Sequence, residues 1–155
     1  MIKLKNKYFN ILTIINKKYS KMAEHSNVIH LNYKEFDAKY NELKQQGKPF
    51  AVLFTGDNVP GTTDSWCGDC VRAHPVIQST VIPKCAELHI PFLEVLVGLR
   101  EEWKTPTHLI RNHPDLMLTN IPTLLLNEKG KFTKKLVEGQ ILNKSLLEDF
   151  FELDD

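Results

Sequence analysis

Cys67 and Cys70 stand two residues apart in the stretch Asp64-Ser-Trp-Cys-Gly-Asp-Cys-Val-Arg-Ala-His-Pro75. Thiols at that spacing can ligate a metal, close a static cross-link, or exchange electrons as a dithiol–disulfide couple. A zinc site would draw on Cys67, Cys70, His74 and Cys85. These candidates lie within one helical segment, whereas structural zinc sites pair two ligand clusters. A static cross-link needs an oxidising compartment. The chain has three cysteines, at 67, 70 and 85, and an odd count with one tight pair does not read as a secreted disulfide framework. Redox chemistry in a reducing, cytoplasmic setting therefore ranks first.

The local order supports that ranking. A loop meets a helix at Cys67, where first-turn amides are unpaired and the helix dipole is positive. Both effects favour a thiolate, the nucleophile of disulfide exchange. Cys67, at the helix tip, is expected to be the exposed nucleophile, and Cys70, inside the first turn, the shielded resolving thiol. The residues between them tune the couple. Gly68 loosens the turn, and the Asp69 carboxylate raises the cost of a neighbouring thiolate. Trp66 is expected to form part of the platform around the cysteines. His74 reads as a solvated helix residue and Cys85 as a buried, inert thiol. Trp103 is as compatible with packing as with function.

The elements that must position this pair follow from hydrophobic period and turn residues. Val28–Leu31 reads as a short strand. Apolar residues at 33, 36, 40 and 43 line one helix face, which Gly47-Lys48-Pro49 ends. Phe50–Phe54 is a continuous apolar run of strand length, the pattern of a strand buried on both faces. Residues 55–65 form a long loop. A helix from Cys67 to about Val81 is interrupted by Pro75, Pro83 bends or ends it, and 84–89 can add a turn. Pro91–Val97 reads as a second central strand, and Trp103–Arg111 as a helix with Thr105 as cap and Pro106 in its first turn. Ile121–Leu126 is a third strand, Asn127–Gly130 a turn and Lys131–Val137 the returning strand of a hairpin. Asn143 caps a last helix whose apolar side is Leu146, Leu147, Phe150 and Phe151. The order βαβαβαββα implies an α/β fold, a central mixed sheet flanked by helices.

With those elements in place, Trp66-Cys67-Gly68-Asp69-Cys70 followed by Pro75 resembles the thioredoxin superfamily, and so does Ile121-Pro122-Thr123. The resemblance implies a thioredoxin fold, a cis bond at Pro122, and a substrate groove shaped by Trp66, Ile121 and Pro122. The chain is most similar to the narrower cytosolic family of thioredoxin domain-containing protein 17. The match rests on Phe54-Thr55-Gly56, Ser65–Val71, Val97-Gly98 with Trp103, Pro122–Leu125 and Leu136-Val137-Glu138, and covers about residues 28–152. Two departures stand out. Strand Phe50–Phe54 lacks the buried aspartate of ordinary thioredoxins, as the narrower family does, so proton handling must differ. Gly68 replaces that family's usual proline.

The resemblance implies a disulfide reductase that cycles a Cys67–Cys70 disulfide without a bound cofactor. Electrons would come from NADPH through thioredoxin reductase, and the substrates would be cystine and selected protein disulfides or nitrosothiols. The loop at 56–65 would reshape the docking surface. The family also implies dynein light chain as a partner and a link to inflammatory signalling. Two other readings stay open: a thioredoxin-fold adaptor in signalling, and a zinc-stabilised domain.

The chain has 155 residues, 42% of them hydrophobic and 25% charged, enough for one domain with a core. Residues 1–21 hold six lysines (at 3, 5, 7, 17, 18 and 21) and no acid. Taking those six from the 20 basic residues leaves 14 against 19 acidic ones, a net charge of −5 for residues 22–155. A mildly acidic body argues against nucleic acid as partner. No apolar run of about 18 residues is present, so no membrane span is expected, and a monomer is. Residues 1–21 read as a basic, flexible extension ahead of a domain at 22–155. A mitochondrial presequence is the alternative, although it would be richer in Arg and Ser. Asn143-Lys144-Ser145 fits a glycosylation sequon that nothing else in the sequence supports.

Overall fold

A computed structural model of the chain describes residues 10–17 and 27–154. Residues 10–17 form a short exposed helix, α1. The expected boundary at residue 21 lies outside the described residues. The body runs β1 (Val28–Asn32), α2 (Phe36–Gln46), β2 (Phe50–Thr55), α3 (Gly68–Val76), α4 (Ile82–Glu87), β3 (Phe92–Leu96), α5 (Arg100–Lys104), β4 (Thr123–Glu128), β5 (Lys131–Val137) and α6 (Lys144–Phe150). The strands form one mixed sheet in the order β1-β3-β2-β4-β5. β1 and β2 each pair parallel to β3, β4 runs antiparallel to β2, and β5 antiparallel to β4.

The apolar run Phe50–Phe54 is buried along its whole length because β2 sits at the centre with a helical layer on each face. Alternation divides its side chains. Phe50, Val52 and Phe54 join Phe36, Tyr40, Leu43, Val95 and Trp103 in one cluster. Ala51 and Leu53 join Ala73, Ile77, Val81, Leu147 and Phe150 in a second. Local signals set the helix ends. Asn32 and Glu35 form a reciprocal cap ahead of α2, with Lys34 N donating to Asn32 Oδ1 at 3.0 Å and Asn32 N to Glu35 Oε2 at 2.8 Å. Gly47 closes the helix at φ 68°. The Asn143 side chain caps α6 by accepting from Leu146 N at 3.1 Å.

Three expected boundaries differ. The helix expected at Trp103–Arg111 is instead α5, Arg100–Lys104, and residues 105–111 are turns. Leu99 N donates to Glu102 Oε2 at 3.0 Å and starts the helix early. Pro106 holds Thr105 in an extended conformation, φ −63° and ψ 128°, which ends it. Thr105 is thus a C-terminal residue of α5, not its N-cap. The helix after Cys67 does not stop at about Val81. A π-helical turn, Ile77–Val81, joins α3 to α4, and Pro83 is the second residue of α4. Strand β4 starts two residues later than expected, beyond Pro122, and runs to Glu128. The hairpin turn shrinks to Lys129 and Gly130, both at positive φ.

Candidate active site

The dithiol and the residues expected beside it gather at one end of the sheet. β2 and β3 end there and antiparallel β4 begins there, the side on which open α/β sheets place their ligands. The segment 56–65 leaves β2 and folds back on itself. Val59 N donates to Asp64 O at 2.8 Å, and Asn58 bridges to Ser65. Ser65 then positions the motif: its hydroxyl donates to Gly56 O at 2.8 Å and accepts from Cys67 N at 3.2 Å. A side chain at Gly56 would meet Ser65 Oγ and the Trp66 ring at 2.9 Å, so only glycine allows this close approach.

Trp66 is fastened to the end of β3. Its Nε1 donates to Gly98 O at 2.9 Å, and its backbone N to Asp57 O at 3.1 Å. The Asp57 carboxylate closes the link by accepting from Gly98 N at 2.7 Å. Burial raises the Asp57 pKa against that hydrogen bond, with Glu102 adding to the rise. Gly98 itself is required, because at φ 92° a Cβ would lie 2.6 Å from Glu102 Oε2.

Cys67 is the N-cap of α3, and its Sγ accepts from Cys70 N at 3.4 Å. The same sulfur lies 3.7 Å from the carbonyl oxygen of Ile121. The Ile121–Pro122 bond is cis, as expected. Contrary to expectation Cys67 is not exposed. It is 8% accessible and Cys70 4%, because Cys67 packs into the cluster with Trp66 and Ile121.

The two thiols have opposite environments. A hydrogen bond from the Cys70 thiol, helped by the Cys70 and Asp69 amides, brings Cys67 down to about 7 despite burial and the Asp69 charge. Cys70 is pushed strongly upward, first by its bond to Cys67 and then by burial, while the Thr55 hydroxyl and Gly56 amide oppose the rise. Asp69 pairs with Arg72 one turn on. Gly68 is exposed, and a Cβ there would touch only Arg72 Nη1, at 3.7 Å.

The expected residues Trp66, Cys67, Gly68, Asp69, Cys70, Ile121 and Pro122 are thus brought together. The four candidate zinc donors are not. Cys85 is fully buried in the second cluster, away from Cys67 and Cys70 in the first. Among the described residues no group of three His, Cys, Asp or Glu side chains is placed to hold a metal ion. Burial raises the Cys85 thiol to about 12, which suits an inert core residue. His74 is exposed. Trp103 is a packing residue, edge-on to His108 with Arg111 over its ring. A groove of about 780 Å³ lies elsewhere, between the π turn with α4 and α6. Among the described residues no helix is long and apolar enough to cross a membrane.

Asp57 was not singled out from the sequence, and Thr55 and Ser65 entered only as part of the resemblance, without a role. A short polar residue in a loop carries no sign of its partner, and Asp57 finds Gly98 41 positions away.

A cysteine pair at a helix N-cap, set against a cis-proline at the end of a five-stranded mixed sheet, defines a thioredoxin-fold protein. Solved structures agree on the fold. Thioredoxin O2 from Arabidopsis thaliana superposes with a TM-score of 0.57 at 18% identity, covering 83% of this chain and 97% of that one. Thioredoxin NaTrxh from Nicotiana alata gives 0.53 at 23%, covering 79% and 91%. A family profile described as "Thioredoxin domain-containing protein 17-like, thioredoxin domain" matches residues 29–153, and the chain belongs to that family. Thioredoxin domain-containing protein 17 of Mus musculus is 35% identical over 86% of this chain and 100% of its own length. The thioredoxin-like protein Clot of Arabidopsis thaliana is 37% identical over 61% of this chain and 72% of its own.

Proposed function

We propose that this chain is a thiol–disulfide oxidoreductase working as a reductase of small disulfides such as cystine and of selected protein disulfides. The observation that carries this reading is the division of labour between the thiols. Cys67 Sγ sits at the N-cap of α3 and accepts from Cys70 N at 3.4 Å. With the Cys70 thiol as a further donor its pKa falls to about 7, whereas Cys70, inside the first turn, is pushed upward. The Cys67 thiolate attacks a substrate disulfide and forms a mixed disulfide, releasing one substrate thiol. Cys70 then attacks the Cys67 sulfur and releases the second. Trp66, Ile121 and Pro122 shape the groove in which the substrate lies, and Gly68 and Asp69 tune the couple. The chain needs no bound cofactor. Thioredoxin reductase, drawing on NADPH, regenerates the dithiol.

The test is NADPH consumption by thioredoxin reductase, this chain and cystine together. The intact chain is expected to support turnover and the Cys67→Ser variant to abolish it. An intact chain that adds nothing to the rate of reductase and cystine alone would overturn the reading.

A further inference from the structure

Behind the dithiol lies a cavity of about 320 Å³, bounded by α3, the ends of β2 and β3, and the 56–65 segment. Cys70 forms part of its wall together with Thr55 and Gly56, the two groups that hold the Cys70 sulfur. Glu94 of β3 lines the same cavity, and so do His74 of α3 and Asp64 of the loop. Glu94 stands beside Leu53, its register partner on β2, and β2 itself, Phe50–Thr55, carries no ionisable side chain. On its other side Glu94 pairs with β1: Oε1 lies 3.8 Å from His30 Nδ1. The Glu94 side chain is 19% exposed and that of His30 70%. One carboxylate thus connects the cavity at Cys70 with the open edge of the sheet.

The resolving step needs such a connection. In the mixed disulfide Cys67 no longer carries charge, and the buried Cys70 must lose its proton before it can attack. Neither Thr55, whose hydroxyl is too weak a base, nor Gly56, whose amide is a donor, can hold that proton. We infer that Glu94 accepts the Cys70 proton across this cavity and passes it outward past His30 to solvent. Thr55, Asn58, Asp64, Ser65 and His74 put polar groups on the cavity wall, and the space is wide enough for water to carry the proton. In full, Cys70–SH gives its proton to the Glu94 carboxylate. The Cys70 thiolate attacks Cys67 Sγ, the Cys67–Cys70 bond forms, and the bond from Cys67 to the substrate sulfur breaks. The departing thiolate takes a proton from solvent, and Glu94 returns its own. Two protein thiols are oxidised and one substrate disulfide is reduced.

This inference rests on the reductase reading, and one experiment separates their failures. The full-length reduced chain, in excess, is mixed rapidly with dithiobis(nitrobenzoate). Each probe molecule releases one coloured thiolate on attack by Cys67 and a second on resolution by Cys70. Glu94→Gln is expected to leave the first phase unchanged and to slow the second by roughly tenfold or more near neutral pH. The slowed phase should then rise in proportion to hydroxide, and Glu94→Asp, which keeps the carboxylate, should recover most of the rate. A second phase unchanged in Glu94→Gln would overturn the relay and leave the reductase standing. A Glu94→Asp variant as slow as Glu94→Gln would assign the effect to packing and also overturn it. An intact chain that releases only one equivalent, like Cys70→Ser, would overturn both readings together.

Discussion

Helices usually cap their first turn with an oxygen from Ser, Thr, Asp or Asn. In this chain the sulfur of Cys67 fills that place and accepts from Cys70 N, so the helix is better capped by a thiolate than by a thiol. That gives a sign to two measurements. Alkylation of Cys67 should titrate with a midpoint of about 7. The Asp69→Asn variant should titrate lower, because the Asp69 charge opposes the thiolate. An equal or higher midpoint in that variant would contradict the assignment. Between about 7 and the unperturbed value of 9.0 the folded chain holds a Cys67 thiolate where the unfolded chain holds a thiol. The unfolded state binds more protons there, so the Cys67 contribution to the reduced protein's stability grows as pH rises through that window and is lost as it falls. At this scale the sequence was informative where chemistry depends on near neighbours: Cys67, Cys70 and Trp66 are legible from their own stretch. It was silent where a group depends on a distant one. Asp57 acquires its role only when Gly98, just past β3, is delivered to it, and Cys67 is covered in part because Ile121 arrives from the bend ahead of β4.

Among the elements, α3 carries the departure that the sequence marked, and its geometry decides what Gly68 does. Gly68 is the first residue of the helix, where proline is favoured because its missing amide has no partner to lose. Cys67 ahead of it is extended, φ −92° and ψ 112°, as a residue before proline must be. A Cβ at Gly68 meets only the mobile end of Arg72. Gly68→Pro should therefore fold without strain and stabilise the chain by about 0.4–1 kcal/mol through the unfolded state. An unchanged or lowered denaturation midpoint would show that the glycine is needed structurally. The same reasoning has the opposite sign at Gly98, where φ 92° and the nearby Glu102 side chain predict that Gly98→Ala destabilises by more than about 1 kcal/mol. Elements with strong period or a strong cap, such as β2, α2 and α6, were legible from sequence. α5 was misplaced because a three-residue link through the Glu102 side chain outweighed the apparent Thr105-Pro106 start. The helix past Pro83 survives because a π turn shifts its phase, which no residue pattern announces.

Across the whole molecule, acid should act in two stages, because His108 and the paired carboxylates Asp115 and Glu128, all lowered, fall into two ranges. His108 is 5% exposed. Its Nε2 donates to Val97 O at 2.8 Å, and its Nδ1 accepts from Ile110 N at 3.2 Å. Both bonds suit the neutral ring, and a second proton would set N–H against N–H at Nδ1. Burial accordingly lowers its pKa below the ordinary 6.5. A depressed histidine binds its proton more readily when unfolded, so stability should fall as pH drops below about 6.5 and level off once the folded ring is protonated. The carboxylates come later. Asp115 is lowered chiefly by the Tyr40 hydroxyl, and Glu128 is lowered, against its burial, by Thr133 and the Asp154 amide. Their contributions are lost only as pH falls from the ordinary carboxylate range through their depressed values. The first stage has a local reporter. His108 holds Val97, whose neighbour Gly98 anchors the Trp66 indole. Urea midpoints followed by tryptophan emission should therefore decline between about pH 6.5 and 5 in the intact chain. They should be flat over that interval in His108→Gln, which keeps a side chain able to donate to Val97 O without titrating. A decline of equal slope in the variant would move the first acid stage to another group and would detach the dithiol platform from the histidine beneath it.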